Sequence, residues 1–358
     1  MQQTETLYSS PTLLVTRRAP HGSPVVVVTF QSFVDAHEPR PGGFGEDFLA
    51  EAGFDAIHVS SHGNAWYQYK DMAAALAVID TAAGKARRVT YGLSMGAYAA
   101  IRFAQALRAE RVVAISPQFS IDRRRVPFET RWAEFSDTLD FVCDWPAPAG
   151  SDTQAKEIEV AAIYDPHNPD RRHVALIEQR LHVRHVPVPY GGHPVTALLQ
   201  EARLLSALVL DLLHERFDDA AFAAALAAHA PGSAAYHANQ ANALPWHQAR
   251  RRLALHRKAA ALAPEDRHIQ RGLGFALTAA RRYAEAVAVL QRCLDGYPND
   301  PLTAFALSRA LSFSGHHAEA VATADAAMLH SGNRVFFQRN LAMVHRRHRR
   351  AGWFRWLP

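Results

Sequence analysis

The segment that most constrains how this chain can fold is Gly92-Leu-Ser-Met-Gly96, which follows an apolar run and precedes a helical pattern. A G-x-S-x-G segment between a strand and a helix predicts a sharp turn with the serine at its tip. The serine must then adopt a strained backbone conformation, and the two glycines leave room for the close crossing of strand and helix. The following helix would direct its free N–H groups and positive dipole end towards the serine. Ser94 is therefore a candidate nucleophile.

Strand and helix patterns alternate around this turn. Short connections between them predict a mostly parallel sheet covered by helices on both faces. The rhythm breaks after Pro117, and residues 118–151 are predicted to be an insertion that forms a short lid over the serine. Its aromatic residues, expected to shape acyl specificity, are Phe119, Trp132, Phe135, Phe141 and Trp145. Strands are predicted at 13–18, 23–30, 55–60, 88–91, 111–116, 158–164 and 183–188, and helices at 44–52, 69–83, 95–108, 170–181 and 194–217.

From Asp218 onward the sequence is alanine-rich and helical, and it repeats itself every 34 residues. Pro264 and Pro298 are one period apart, and small residues recur at the same interval as Gly274 and Ser308. Thirty-four residues is the period of tetratricopeptide repeats. We predict about three repeats within 236–350, the last 18 residues being a capping helix, and two domains, 1–217 and 218–358. A plain helical bundle is the alternative.

Charge and composition exclude some functions. The net charge of +5 comes from seven arginines in 334–358, a basic tail without acidic residues, so the remainder is slightly acidic. No groove-reading motif accompanies that tail, so a nucleic acid partner is not expected. Two distant cysteines favour a reducing compartment. With no export signal and no apolar segment of membrane-spanning length, we expect a cytoplasmic protein.

A serine nucleophile requires a general base and an acid that orients it. Asp165 directly follows the predicted strand 158–164, and His193 follows the last strand after two glycines, so both occur in the order expected after the serine. Asp170 is the alternative acid. We prefer Asp165, because an aspartate at the start of the helix at 170–181 is explained by capping. No metal-ligand spacing occurs, and this chemistry requires no cofactor.

On these residues, 10–217 resembles the α/β-hydrolase superfamily, a doubly wound α/β fold, and 236–350 resembles the all-α tetratricopeptide repeats. The family's His-Gly after its first long central strand is here Thr29-Phe-Gln-Ser32, and its Gly-x-x-Asp before the acid is Ala162-Ile-Tyr-Asp165. The resemblance implies an oxyanion hole built from the backbone N–H groups of Met95 and of Phe30 or Gln31.

A fainter similarity is to bacterial hydrolase-like proteins associated with surface-glycan and glycoprotein modification. The residues that carry it are His62-Gly-Asn-Ala-Trp-Tyr-Gln-Tyr69 and Ser116-Pro-Gln118. His62, Trp66 and Tyr67 follow a strand at the sheet edge where ligands bind, so they are candidate substrate-binding residues. The alternative is that these aromatic residues only anchor the loop.

The expected function is a serine hydrolase that cleaves an ester or thioester through an acyl-enzyme on Ser94. One alternative is an acyltransferase or deacylase acting on a bacterial glycan or glycoprotein, and another is a catalytically silent scaffold. The repeats are expected to bind a protein partner in a groove bordered by Gln270, Arg271 and Asn340. The basic tail, with Trp353, Phe354 and Trp356, would suit an anionic membrane surface or simply cap the last repeat.

Overall fold

A computed structural model describes residues 4–18, 22–34, 42–143, 145, 158–331 and 335–354 of the chain. The remainder of the predicted insertion and residues 355–358 of the basic tail lie outside this part. The strands are β1 Thr4–Ser9, β2 Leu13–Arg18, β3 Val25–Phe30, β4 Asp55–Ser61, β5 Arg87–Leu93, β6 Arg111–Ile115, β7 Glu159–Tyr164 and β8 His182–Pro187. The helices of the first half are α1 Glu46–Glu51, α2 Met72–Ala83, α3 Met95–Arg102, α4 Ala133–Ser136, α5 Asp170–Glu178, α6 Thr196–Glu201, α7 Leu205–Leu213 and α8 Asp219–His229. Those of the second half are α9 Ala234–Ala243, α10 Ala249–Leu262, α11 Arg267–Ala279, α12 Tyr283–Gly296, α13 Pro301–Ser314, α14 His317–His330 and α15 Val335–Phe354.

The eight strands form one mixed sheet in the order β1-β2-β4-β3-β5-β6-β7-β8. Strands β3 to β8 pair in parallel, and β1 and β2 add an antiparallel edge. The strands expected from the sequence are present. The sequence did not reveal β1, a largely exposed edge strand whose pairing with β2 is interrupted by a register shift between Thr6 and Tyr8. An edge strand with few buried residues leaves little hydrophobic alternation to detect.

Strand β3, near the centre of the sheet, is covered on both faces. All six of its residues are buried, which explains the continuous run of valines. Helix α3 packs over β3, β5 and β6. The carboxyl ends of β3, β5 and β6 therefore meet where α3 begins.

The helix predicted at 194–217 is instead two shorter helices, α6 and α7. Arg203 takes a positive φ of 58° between them, and the N–H of Leu204 donates back to the carbonyl of Leu199 at 2.8 Å. This is a left-handed helix end. An arginine there carries none of the glycine or asparagine signal that usually marks such an end.

The chain divides into two compact units, 1–229 and 230–358. Helix α8 belongs to the first unit, whereas the sequence prediction put the boundary before it, after Phe217. Arg184 on β8 explains the difference, because its Nη2 donates to the carbonyl of Phe217 and pairs with Asp219 at the start of α8. The alanine-rich sequence of α8 contains no pattern that predicts this contact with β8.

The second unit consists of antiparallel helix pairs repeated along the chain. Helices α13 and α14 begin 34 residues after α11 and α12, and α9 and α10 begin 33 and 34 residues before them. Gly274 is required where α11 crosses α12, because a Cβ there would lie 2.4 Å from side-chain carbons of Leu290. Ser308 is fully buried at the equivalent place. Within the part of the chain that is described, no helix is both long enough and apolar enough to cross a membrane.

Candidate active site

Ser94 lies at the tip of the turn between β5 and α3. Its backbone has φ 52° and ψ −112°, a conformation that costs free energy and persists only where the surroundings impose it. A Cβ on Gly92 would lie 2.2 Å from the carbonyl oxygen of Gly96, and one on Gly96 would lie 2.1 Å from that of Phe30. Both glycines are therefore needed, as the sequence indicated.

The Ser94 hydroxyl is hydrogen-bonded to a histidine, and that histidine is hydrogen-bonded to a carboxylate. Ser94 Oγ lies 2.9 Å from Nε2 of His193, and Nδ1 of His193 lies 2.8 Å from Oδ2 of Asp170. With Asp170 ionised, Nδ1 must carry the proton that it donates to the carboxylate, which leaves Nε2 free to accept the serine proton. The arrangement is a Ser-His-Asp chain in the orientation that acyl transfer requires.

The carboxylate bonded to His193 is Asp170, not Asp165 as the sequence suggested. Asp165 accepts backbone N–H groups instead: His167 at 2.9 Å, Tyr190 at 3.1 Å and Gly192 at 2.9 Å. It thereby ties the loop after β7 to the loop that carries His193. Asp170 does not cap α5, because Pro169 is the N-cap of that helix and no side-chain capping hydrogen bond is formed there.

The predicted oxyanion hole is only partly compatible with the structure. Met95 is the first residue of α3, where backbone N–H groups have no partner within the helix. The N–H of Gln31 is already used, since it donates to the carbonyl of Val59 at 3.0 Å. Phe30 is the last residue of β3, and its carbonyl oxygen faces Gly96. Met95 therefore remains a candidate donor, whereas the backbone of Gln31 does not.

The side chain of Gln31 offers a different donor. It is buried, and neither its Nε2 nor its Oε1 has a hydrogen-bond partner among the described residues. Burying an amide without a hydrogen-bond partner costs free energy. Groups that bind a ligand are often buried in this way. Gln31 also directly follows β3, beside Gly96.

Four aromatic rings, which we call the aromatic cluster, pack against each other next to His193. Trp132 lies 6.2 Å from the imidazole and 5.0 Å from Trp66, measured between ring centroids. The cluster consists of Phe33, Trp66, Trp132 and Phe135. Trp66 is held by a 2.9 Å hydrogen bond from Nε1 to Oε1 of Gln118, while Nε1 of Trp132 is buried without a partner among the described residues.

The other aromatic residues named from the sequence lie elsewhere. Tyr67 is fully buried, and its hydroxyl reaches the carbonyls of Gln31 at 2.8 Å and Val59 at 3.2 Å, so it anchors the segment after β3. His62 is exposed, and its backbone N–H donates to Thr12. Within the predicted lid, Trp145 stacks on Phe119 with a centroid distance of 5.1 Å. Phe141 lies beneath the guanidinium of Arg124.

Three further residues behind Asp170 were missed in the sequence. Arg131 Nη2 lies 2.9 Å from Oδ1 of Asp170, close enough for an ion pair although not aligned as a hydrogen bond. Glu129 accepts from Nε of Arg131 at 3.0 and 3.1 Å and contacts Nε2 of His173 at 2.9 Å. His173 is fully buried. The available signal was its spacing, three residues after Asp170 on the same face of α5.

Arg131 and the histidines lower the pKa values of the two buried carboxylates, Glu129 and Asp170. Burial raises the pKa of Glu129, but hydrogen bonds from His173 and Arg131 outweigh it and bring the pKa to about 2. For Asp170, burial likewise raises the pKa, and the hydrogen bond from His193 and the charge of Arg131 lower it below its usual value. Burial lowers the pKa of His173. Both carboxylates are therefore ionised at neutral pH, and His173 is neutral.

The assembled groups can perform nucleophilic acyl transfer. His193 can accept the proton of Ser94 as the hydroxyl attacks an acyl carbon, and Met95 can donate to the oxyanion. Among the described residues, no group of three or more potential metal ligands was found.

Comparisons with known proteins give fold-level similarity only. No family model and no curated protein matches the chain. The capsule O-acetyltransferase of Neisseria meningitidis serogroup A is 9% identical over 56% of this chain and 93% of its own, with a TM-score of 0.40. An esterase of Pyrococcus furiosus is 13% identical over 61% and 92%, with a TM-score of 0.39. MamA of Desulfovibrio magneticus is 16% identical over 42% and 89%, with a TM-score of 0.32. Similarities this low do not assign the chain to a family.

Proposed function

We propose that this protein is a serine hydrolase of the α/β-hydrolase type that cleaves a carboxylic ester or thioester. The observation that carries the proposal is the hydrogen-bonded chain from Ser94 through His193 to Asp170, built on a strained turn. In the first half-reaction Ser94 attacks the acyl carbon while His193 takes its proton. His193 then returns that proton to the leaving group, and a second attack releases the acyl group.

The group that makes the second attack decides between hydrolysis and acyl transfer. Water gives an esterase or thioesterase, whereas a sugar or protein hydroxyl gives an acyltransferase acting on a glycan or glycoprotein. Both follow the same acyl-enzyme chemistry. We favour hydrolysis because it requires no second substrate site.

The surroundings of Ser94 favour a short acyl group. Ser94 is 6% exposed and the His193 side chain 11%, and the aromatic cluster occupies the space next to the imidazole. A long chain would have to displace these rings, whereas an acetyl group adds only three heavy atoms to the serine. The buried Nε1 of Trp132 and the amide of Gln31, for which the described residues supply no partner, are candidate donors to the substrate.

The scaffold alternative is disfavoured by the same geometry. A silent hydrolase fold has no reason to retain a strained serine in hydrogen-bond contact with a histidine whose tautomer is fixed by a buried carboxylate.

Labelling of the full-length protein with a fluorophosphonate probe tests the proposal, because the probe reacts only with an activated serine. We expect stoichiometric labelling at Ser94 and none in Ser94→Ala, which should melt at nearly the same temperature. Hydrolysis of activated acetyl esters should be lost in the same variant. A folded wild-type protein that does not label would contradict the proposal and favour the scaffold.

For the second unit we propose that the repeats bind an acidic segment of a protein partner. A cavity of about 230 Å³ lies between α9, α10 and α11, and its lining includes Arg252, His256, His268 and Arg271. His256 is buried, and its Nδ1 has no partner among the described residues. Burial and the charge of Arg252 lower the pKa of His256 to about 4. A carboxylate bound in the cavity would compensate the positive charge of Arg252 that contributes to this shift.

We propose this cavity in place of the groove predicted from sequence, because the residues expected to border that groove have partners within the second unit. Arg271 lines the cavity and also pairs with Asp300. Gln270 is engaged with backbone carbonyls of Ala260 and Ala263. Asn340 is buried and donates to Ser308. In the tail region, Arg347 is also engaged, with the Ser312 hydroxyl and carbonyl.

Binding of a fluorescein-labelled Asp/Glu-rich peptide to the full-length protein tests the repeat proposal. Arg252→Ala should weaken binding about tenfold, because the cavity loses a cation for which the described part of the chain shows no ion pair. The matched control is Arg257→Ala on the same helix, whose guanidinium pairs with Glu285. Equal effects of the two substitutions would contradict the proposal, as would equal binding of a neutral peptide.

A further inference from the structure

We propose that Glu129 and Arg131 form a charge-compensating pair behind the triad, which holds Asp170 as a carboxylate without opposing the protonation of His193. The inference rests on the proposed function, since it concerns the step in which His193 accepts the Ser94 proton. Neither residue touches the reacting atoms, so both are positioning residues.

Both carboxylates of this group are buried. Asp170 is 0% and Glu129 1% exposed, and two carboxylates removed from water are costly unless they are paired and hydrogen-bonded. Arg131 lies between them, with Nη2 contacting Oδ1 of Asp170 and Oε2 of Glu129. One guanidinium therefore serves both carboxylates. If Arg131 only had to neutralise Asp170, Glu129 would not be needed.

His173 holds Glu129 in place without adding charge. Nδ1 of His173 accepts the backbone N–H of Phe119 at 3.2 Å, so the proton of the neutral ring is on Nε2 and is donated to Glu129 at 2.9 Å. His173 also packs on Phe128, with a centroid distance of 4.8 Å. Glu129 is thus held in place from both sides, and its negative charge stays uncompensated except by Arg131.

The net charge around Asp170 changes when His193 accepts the Ser94 proton. Among the described residues, Asp170 contacts His193 and Arg131, and Arg131 contacts Glu129, which is hydrogen-bonded to the neutral His173. Asp165 accepts a backbone N–H of the His193 loop. With His193 neutral, Asp170, Glu129 and Arg131 carry one net negative charge, which protonation of His193 cancels. Without Arg131, two negative charges would hold that proton more tightly. Without Glu129, the unbalanced guanidinium would repel it.

The two substitutions are therefore expected to shift pH dependence in opposite directions. In Arg131→Met, the midpoint of the acid limb of Ser94 labelling or ester turnover should move up by about one pH unit, and in Glu129→Gln it should move down by a similar amount. The double variant should return close to the wild-type midpoint. A merely structural role would lower rate or stability in all three variants without opposite shifts.

The same segment offers a matched control. Arg124 is bonded to Asp122 through the same two-residue spacing and the same backbone and Nε donors as Arg131 to Glu129, but its side chain is 79% exposed. Arg124→Met should leave the midpoint unchanged. Arg131→Lys retains the charge and should stay near the wild-type midpoint, which keeps the test available if Arg131→Met does not fold.

Histidine titration by NMR, assigned with His193→Gln, provides a readout that does not require activity. The His193 midpoint should follow the same opposite shifts. Labelling of Ser94 together with unshifted midpoints in Arg131→Met and Glu129→Gln would overturn this inference and leave the proposed function standing. An unlabelled wild-type protein whose His193 midpoint still shifts in opposite directions would do the reverse.

Discussion

Asp170 lies 2.8 Å from Nδ1 of His193 at the first turn of α5, five residues beyond the strand end where the sequence order alone placed the acid. Asp165, at that strand end, instead joins two loops through backbone N–H groups. The two aspartates therefore divide two tasks: one orients the imidazole, and the other holds the loop that presents it. This division leads to the first prediction.

Substituting the two aspartates separately should affect different quantities. Asp170→Asn should lower kcat on the order of 10⁴-fold with little change in fold, because an amide stabilises the wrong imidazole tautomer. Asp165→Asn should lower the free energy of unfolding by about 1–3 kcal/mol, because the three backbone N–H groups that Asp165 accepts lose a carboxylate acceptor. Ester turnover and thermal unfolding of both variants give the comparison. If Asp165→Asn proves to be the inactive, fully stable variant, the assignment of Asp170 is wrong.

Removing one ring of the aromatic cluster should change acyl specificity. Trp132→Ala opens space next to His193, and the ratio of propanoyl to acetyl ester turnover should rise about tenfold, since one methylene in a pocket is worth about that much discrimination. Trp145→Ala is the matched control. Trp145 stacks on Phe119 and donates to its carbonyl, so its loss should reduce stability and leave the ratio unchanged. Equal ratios in both variants would show that Trp132 does not limit the acyl group.

Much of the fold could be predicted because its signals are local. Buried parallel strands such as β3 are continuously apolar, and the turn at Ser94 requires glycines wherever it occurs. The repeat period was visible because each helix pair buries the same face. Helix ends without glycine, such as the one at Arg203, and the exposed strand β1 carry no comparable local pattern.

The site was only partly predictable, because its selection depends on contacts between distant segments. Ser94 and His193 were identified by position in a chain order. Choosing between Asp165 and Asp170 required knowing where each side chain is directed, and two nearby carboxylates are equivalent in a sequence. Glu129 and Arg131 belong to a segment with many arginines, and only their contact with α5 distinguishes them from a pair with an exposed arginine such as Asp122 with Arg124.

The close crossing of α11 and α12 predicts the effect of a methyl group. Gly274→Ala would place Cβ 2.4 Å from carbons of Leu290, which is itself fully buried. Such overpacking should destabilise the second unit by about 1–3 kcal/mol. Gly296→Ala is the control, because nothing lies within 4 Å of its Cβ position at the end of α12, and it should be neutral or slightly stabilising. Urea unfolding followed by circular dichroism measures both, and a neutral Gly274→Ala would contradict the tight crossing.

The buried His256 predicts how the second unit responds to acid. Burial, together with the charge of Arg252, lowers its pKa from the ordinary 6.5 to about 4. The unfolded chain then binds the proton more readily than the folded one, so stability is complete above pH 6.5 and is lost as the pH falls from there to about 4. The loss should reach about 3 kcal/mol.

The variant His256→Gln cannot bind that proton, and its unfolding free energy should fall less over the same pH range. Urea unfolding of both proteins at pH 7 and at pH 4.5 measures the difference. Parallel losses in the two proteins would show that His256 is not the group responsible, and addition of the acidic peptide to the wild type should reduce the loss.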